Sequence, residues 1–252
     1  MSRHIIKINP DYERFRPQIE SIVRHGMPDG AEVIYRGRNT LYRLRMGDSA
    51  VIVKEFGRPN AVNAFVYTTL RRSKARRSYE NAERMRGLGF ESPEPIAWGE
   101  TREGLKLTGS CYICTELKGA TEMRHWEEFP FADTLLPAFA AEIHRLHQAG
   151  VWHKDFSPGN ILFTGDAARG YTFHYVDLNR MRFGVHSRSR LMSMFRSINL
   201  DRGETARLAR LYAAAAGEDA DAVEREALRQ LEGYFREKER KRRFKKLLHH
   251  RH

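Results

Sequence analysis

The sequence predicts an α+β fold in two lobes, a small β-rich lobe over residues 1–116 and a mostly helical lobe over 117–252. Two observations carry this. Short strand-like segments separated by Gly turns crowd the first half, and helical periodicity dominates the second. A third observation concerns chemistry. Between a helix and a strand of the second half lies Val151-Trp-His-Lys-Asp-Phe-Ser-Pro-Gly-Asn160, which gathers His153, Asp155 and Asn160 in one loop.

Taken in order, Asp11 to His25 reads as an amphipathic helix, with Phe15, Ile19, Ile22 and Val23 near helical spacing and Asp11 as its cap. Ala31–Tyr35, Thr40–Arg45 and Ser49–Phe56 read as strands, joined by Gly37-Arg38-Asn39 and Met46-Gly47-Asp48. The third contains Val51-Ile-Val-Lys54. Asn60–Leu70 and Ser73–Leu88 follow as helices, the second with Tyr79, Ala82, Met85 and Leu88 on one stripe. Pro93 to Trp98 is extended. Leu105–Leu107 and Ser110–Thr115 read as a hairpin pair, and Glu116-Leu117 leaves the sheet.

Phe131 to Ala149 is the plainest helix. Leu136, Phe139, Ile143 and Leu146 form its stripe, Asp133 or Thr134 caps it, and Pro137 is acceptable only in its first turn. Tyr171–Val176 is a strand that runs directly into Asp177-Leu-Asn-Arg180. From about His186 the chain is helical, with a last stripe of Val223, Ala227, Leu231 and Phe235.

Composition excludes several classes. Hydrophobic residues at 41% and charged residues at 30% describe a globular chain, not a disordered one. No secretory signal and no run long enough to span a membrane is visible, which predicts a cytoplasmic protein. The two cysteines, Cys111 and Cys114, lie three apart on a strand and so point to opposite faces, which argues against a zinc site. The formal net charge is +12, and Arg236–His252 alone holds nine Lys or Arg and two Glu. A terminal basic tail suits contact with phosphates, on lipid or nucleic acid, or is a solvated helix end, and the cluster Arg71–Arg77 either meets an anionic acceptor or is a solvated helix face. No nucleic-acid motif is present, so no nucleic acid is expected as partner.

The spacing of Asp155 and Asn160 is that of a phosphotransferase of the protein-kinase type. Such chemistry needs a lysine on an earlier strand, a carboxylate on the next helix and a second metal-binding carboxylate at a later strand's end. Lys54, Glu80 and Asp177 occur in that order, with Glu83 as reserve for Glu80. The cofactors this implies are ATP and Mg²⁺. Lys54 places a charge on the phosphates, and Asn160 and Asp177 offer oxygens to Mg²⁺. Asp155 orients the attacking hydroxyl. His153 braces the loop. Lys154 either faces the transferred group or faces solvent. Gly37, Arg38 and Asn39 cover the phosphates or form a plain turn, and the main chain at Glu116 and Leu117 meets the adenine. Asn179 stands where a protein kinase has the Gly of Asp-Phe-Gly.

The Lys54 strand, Ser78-Tyr-Glu-Asn-Ala-Glu-Arg-Met85, Pro93-Glu-Pro-Ile96, His147 to Leu162 and Val176-Asp-Leu-Asn-Arg180 together resemble the lipopolysaccharide kinase family. The resemblance implies a protein-kinase-like fold, ATP and Mg²⁺. It also implies an acceptor in the lipopolysaccharide core or Kdo-lipid A, reached from the inner face of the inner membrane. By motif position it makes Asp155 catalytic, Asn160 and Asp177 metal ligands, and Lys54 the phosphate lysine. Three rivals remain. A protein kinase lacks support because no Ala-Pro-Glu follows Asp177. A kinase of cationic small molecules fits poorly with Arg180, Arg182, Arg188, Arg190 and Arg196. A catalytically dead binding module is at odds with the intact set of residues.

Overall fold

The computed structural model describes residues 2–57, 72–128 and 132–249. The chain forms two compact units, Met1–Gly119 with His174–Arg180, and Ala120–Phe173 with Met181–His252. The first unit runs to Gly119, and one later segment returns to it. Hydrogen bonds explain the return: Tyr175 N–H donates to Glu91 C=O over 3.0 Å, and side chains of the preceding helix hold the carbonyls of Leu178 and Asn179.

In the first unit the order is β1 (Ser2–Ile8), a 3₁₀ turn (Pro10–Phe15), α1 (Arg16–His25), β2 (Glu32–Arg36), β3 (Asn39–Met46), β4 (Ser49–Phe56), α2 (Lys74–Gly87), β5 (Pro95–Glu103) and β6 (Lys106–Thr115). The six strands make one sheet in the order β1-β5-β6-β4-β3-β2. Strand alternation sends Val51 and Val53 of β4 to one face, where they pack with Ile19 and Ile22 of α1. Ile52 and Phe56 pack on the other face with Ala75 and Tyr79 of α2. Lys54 has the same parity as these two, so α2 and Lys54 share a face. Each fully buried large side chain contributes about 1.5–3 kcal/mol. Cys111 joins the first cluster and Cys114 the second, on opposite faces as their spacing requires. Burial pushes both thiols up to about 12, so neither forms a thiolate at neutral pH.

Several local expectations change. The edge strand β1, paired antiparallel with β5, was not anticipated. The helix expected from Asp11 starts at Arg16; before it comes the 3₁₀ turn, capped by Asn9, whose side chain accepts from Asp11 N–H. The two segments expected as a hairpin, Leu105–Leu107 and Ser110–Thr115, are not one: a single strand, β6, runs from Lys106 to Thr115, with Leu105 in the turn before it. The reversal lies at Gly104 (φ +57°), whereas Gly109 continues the strand opposite Thr101. The expected helix at Asn60–Leu70 lies outside the described residues. Ser73 caps α2, and Leu88, placed on its buried stripe, is 43% exposed.

The second unit contains β7 (Thr121–Glu122), α3 (Ala132–Gln148), β8 (Trp152–His153), β9 (Ile161–Asp166), all but the last two residues of β10 (Gly170–Tyr175), β11 (Met181–Arg182), α4 (Arg188–Met192), α5 (Arg202–Ala216) and α6 (Ala220–His249). Leu136, Phe139, Ile143 and Leu146 of α3 are buried as their spacing predicts. Asp133 and Thr134 do not cap α3 but lie within it; Asp133 pairs with Arg207 and Thr134 with Tyr171. Pro137 is also inside the helix, past its first turn, where it costs one i→i−4 bond.

Asp201 and Glu204 form a capping box on α5, and Gly217 ends it at φ +67°. α5 and α6 then pack together. The stripe of α6 is buried at Val223, Ala227 and Leu231, but Phe235 is 50% exposed. The 15 residues of α5 reach about 22 Å and the 30 of α6 about 45 Å, so the distal half of α6 outruns its partner.

α3 leads to the loop that carries Asp155 and Asn160 through Gly150 at φ +63°. A Cβ there would lie 3.1 Å from Val185 N and 3.3 Å from its O, and Val185 N–H donates to Gly150 C=O. Only glycine meets both the dihedral and this approach.

Near the end of α3, His147 is buried with its Nδ1 3.0 Å from the Tyr212 hydroxyl. Burial lowers its pKa to about 4, and the neighbouring His144 and Arg188 act in the same direction. Its unfolded value is about 6.5, so the unfolded chain takes up this proton first as pH falls. Stability is therefore complete above pH 6.5 and lost progressively down to pH 4. We expect His147 to account for about 2 kcal/mol of stability lost between pH 7 and pH 5. Urea unfolding at both pH values should show this loss reduced in His147→Gln; an equal loss in both proteins would contradict the assignment.

Candidate active site

In the first unit, Lys54 Nζ donates to Asp177 Oδ1 over 2.7 Å, joining two residues 123 positions apart. The pair is part-buried, with side-chain exposures of 17% and 31%. β4 positions Lys54 between Leu41 and Tyr112 of its neighbouring strands. Asp177 follows β10 with φ +54°, a left-handed conformation uncommon outside glycine. The surroundings hold it there. Asn179 Nδ2 donates to Asp177 Oδ1 at 2.5 Å, Asn81 Nδ2 to Leu178 C=O at 2.7 Å, and Arg77 Nη1 to Asn179 C=O at 2.8 Å. Leu178 and Asn179 are buried. The left-handed backbone persists because its surroundings over-determine it. Asn179 thus replaces a flexible glycine with a side chain that fixes the carboxylate.

Glu80 does not take the place foreseen for it beside Lys54. Its carboxylate accepts from Arg72 Nη1 at 2.7 Å and from Arg76 Nε at 2.8 Å. Two guanidiniums, one at i−4 on the same helix, satisfy it locally. Lys54 takes its countercharge from Asp177 instead.

Lys74, at the start of α2, was missed by sequence reasoning. Both Lys54 and Lys74 stand over the Phe56 ring, their Nζ atoms 5.5 and 5.8 Å from its centroid. The pKa of Lys74 is lowered first by desolvation, then by the charges of Arg38, Arg77 and Lys54, against which Asp177 acts. Four cations therefore act around one carboxylate. The only sequence signal for Lys74 was its membership of the basic run Arg71–Arg77. This donor set fits a polyphosphate, and the oxygens of Asp177 and Asn160 are of the hard type that Mg²⁺ prefers.

The turn Gly37-Arg38-Asn39 is a tight hairpin, in which Gly37 N–H donates to Asn39 C=O at 3.0 Å. That amide is engaged, and what the turn offers is the Arg38 charge. A Cβ on Gly57 would overlap the Arg38 carbonyl, so this close approach requires glycine. Glu116 N–H is likewise engaged with Ala50 C=O at 3.1 Å, and its carboxylate with Arg43 Nε at 2.7 Å. The Glu116 amide, one of the main-chain groups expected to meet adenine, is thus committed to the sheet.

In the second unit, the loop after β8 is organised around Asp155. His153 is buried, and its Nδ1 accepts the Asp155 N–H at 3.1 Å, so Nε2 carries the ring proton. Asn160 Nδ2 donates to Asp155 C=O at 2.8 Å, which turns its Oδ1 the other way. Ser157 N–H also donates to Asp155 C=O, at 2.7 Å. Phe156 is buried and stacked on Phe139 of α3 at 6.0 Å, so the helix core anchors the loop. Lys154 is exposed.

If Lys74 gathers phosphate, Lys74→Gln should raise the KM for ATP about five-fold, the worth of one half-buried charge. It should also leave the melting temperature equal or higher, because it removes a cation from a repulsive cluster. An unchanged KM in steady-state kinetics would exclude Lys74 from the nucleotide site.

The sheet-rich first unit and helical second unit make a protein-kinase-like fold. A solved structure of WaaP in complex with acyl carrier protein shares it, at 18% identity and a TM-score of 0.61, covering 94% of this chain and 98% of that one. A Rio2 kinase-ADP/Mg²⁺-phosphoaspartate complex from Chaetomium thermophilum aligns over 89% of this chain and 75% of that one, at 17% identity and a TM-score of 0.49. No curated protein matches by sequence. The profile of the lipopolysaccharide kinase (Kdo/WaaP) family matches residues 60–234. The chain belongs to that family.

Proposed function

We propose that the protein is an ATP- and Mg²⁺-dependent kinase that phosphorylates a sugar hydroxyl, on Kdo or heptose, in the lipopolysaccharide inner core. The observation that carries this is the 2.7 Å Lys54–Asp177 pair, which links the residues assigned separately to phosphate and to metal. ATP with Mg²⁺ supplies the phosphoryl group and neutralises its charge when bound. Lys54, with Lys74 and Arg38, gathers the phosphates. Asp177 and Asn160 are the metal ligands. Leu117 offers main-chain groups to adenine. Asp155 accepts a hydrogen bond from the acceptor hydroxyl and aims it for in-line attack, while His153 fixes the Asp155 backbone. Lys154, exposed beside Asp155, is available to the transferred group. In a loose transition state this positioning matters more than basicity.

No helix among the described residues is long and apolar enough to cross a membrane. The basic distal half of α6 fits a peripheral site on the anionic inner face of the inner membrane, at about 1 kcal/mol per well-placed charge. The protein would then work from the cytoplasm. Sedimentation with anionic vesicles should show binding that weakens with salt and is lost when residues 236–252 are removed; binding that survives this truncation would assign the contact elsewhere. The WaaP complex adds an acyl carrier protein as a candidate partner, for which co-elution is the check. Mass spectrometry of lipopolysaccharide from cells with and without the protein tests the function. One phosphate on a core sugar should depend on the protein, and identical core phosphorylation would contradict the proposal.

A further inference from the structure

The segment that follows Asp177 is a single 3₁₀ turn, Leu178–Arg180. A turn this short leaves its carbonyls to find partners outside it. Helix α2 supplies them. Asn81 Nδ2 donates to Leu178 C=O at 2.7 Å, and Arg77 Nη1 to Asn179 C=O at 2.8 Å. Arg77 and Asn81 are one helical turn apart, so they lie on one edge of α2. They reach residues 102 and 97 positions away. Leu178 and Asn179 are buried, so water is a poor substitute for the two donors.

α2 is itself fixed on the sheet. Ala75 and Tyr79 are buried with Phe56, Trp98 and Tyr112. The Arg76 guanidinium stands 5.4 Å from the Trp98 ring centroid. The sheet thus sets α2, α2 sets two consecutive peptide groups, and those groups follow Asp177 directly. The side chain of Asn179, in the middle of the gripped turn, donates to Asp177 Oδ1, the oxygen that also accepts from Lys54 Nζ. Glu80 lies on the same helix but bonds to Arg72 and Arg76.

We infer that Asn81 and Arg77 are positioning residues, which hold the backbone after Asp177 and so set the direction in which its carboxylate meets a metal ion. A ligand group already held in place binds more tightly than one that must be ordered on binding. The inference rests on the kinase reading above, in which Asp177 is a metal ligand. It puts a grip of helix on backbone where an ion pair of Glu80 with Lys54 was expected. Asn81 is the cleaner probe of the two because it is neutral, whereas Arg77 also acts on Lys74 through its charge.

Mn²⁺ titration of the full chain in the presence of a non-hydrolysable ATP analogue, read by electron paramagnetic resonance, measures metal affinity without turnover. Asn81→Leu removes the donor at similar size and should weaken Mn²⁺ binding about five-fold, and Asn81→Ala should do the same. Asn81→Gln keeps an amide donor and should recover part of the loss. Glu80→Gln should shift Mn²⁺ binding less than Asn81→Leu. In steady-state transfer, Asn81→Leu should raise the Mg²⁺ concentration for half-activity by a similar factor, with the KM for ATP at saturating Mg²⁺ near wild type. Melting temperature reports that each variant is folded. Mn²⁺ binding equal to wild type in Asn81→Leu and Asn81→Ala, whatever their melting temperatures, overturns the inference, and so does a larger shift in Glu80→Gln. A wild type that binds no Mn²⁺ overturns it too, by removing Asp177 from a metal site. A wild type that binds Mn²⁺ and the analogue but transfers no phosphate from ATP contradicts the kinase reading alone and leaves the positioning role standing.

Discussion

Asp155→Asn should lower kcat for phosphoryl transfer by roughly 10²–10⁴-fold, while ATP affinity and melting temperature stay close to wild type. The size follows from what is removed. The Asp155 main chain is fixed by His153 Nδ1 on its N–H and by Asn160 and Ser157 on its C=O, and none of these bonds uses the carboxylate. An amide of the same shape keeps these main-chain bonds but no longer offers a negatively charged group to the acceptor hydroxyl. Steady-state kinetics with differential scanning calorimetry separates the two effects. A variant that loses melting temperature in step with activity would show that Asp155 is structural.

Asp177→Asn should cost roughly 10²–10³-fold in transfer and raise the Mg²⁺ concentration needed for half-activity. The position is at φ +54°, which Asn tolerates as well as Asp. The amide oxygen can still accept from Lys54 Nζ and Asn179 Nδ2. What disappears is one negative charge. Because the Lys54–Asp177 pair is part-exposed, its loss should change stability by only about 0–1 kcal/mol. Activity measured over a Mg²⁺ series is the check. Full activity at ordinary Mg²⁺ would remove Asp177 from the metal site.

These residues were legible because strand and loop context is local. The alternation Val51-Ile-Val-Lys54 already put Lys54 on the face opposite Val51 and Val53, and that is the face α2 covers. The stripe on α2 named Tyr79, Ala82 and Met85, all buried. The failures share a physical cause. Pairing between charges depends on what tertiary structure places nearby, and a sequence shows only local candidates. Glu80 had arginines within reach on its own helix, and Lys54 found Asp177 by a route of 123 residues. The amide of Glu116 looked available until the sheet ladder claimed it. Gly109 looked like a turn because glycine permits one, whereas the reversal uses Gly104. β1 was hidden because Ile5, Ile6 and Ile8 alternate imperfectly among charges on an edge strand.

The most direct measurement follows label from γ-³²P-ATP into Kdo-lipid A with the purified protein and Mg²⁺. The account predicts that label appears on a core sugar of the acceptor and vanishes with Asp155→Asn. Label that persists in the variant, or normal ATP binding with no label on any lipid or sugar, would contradict it.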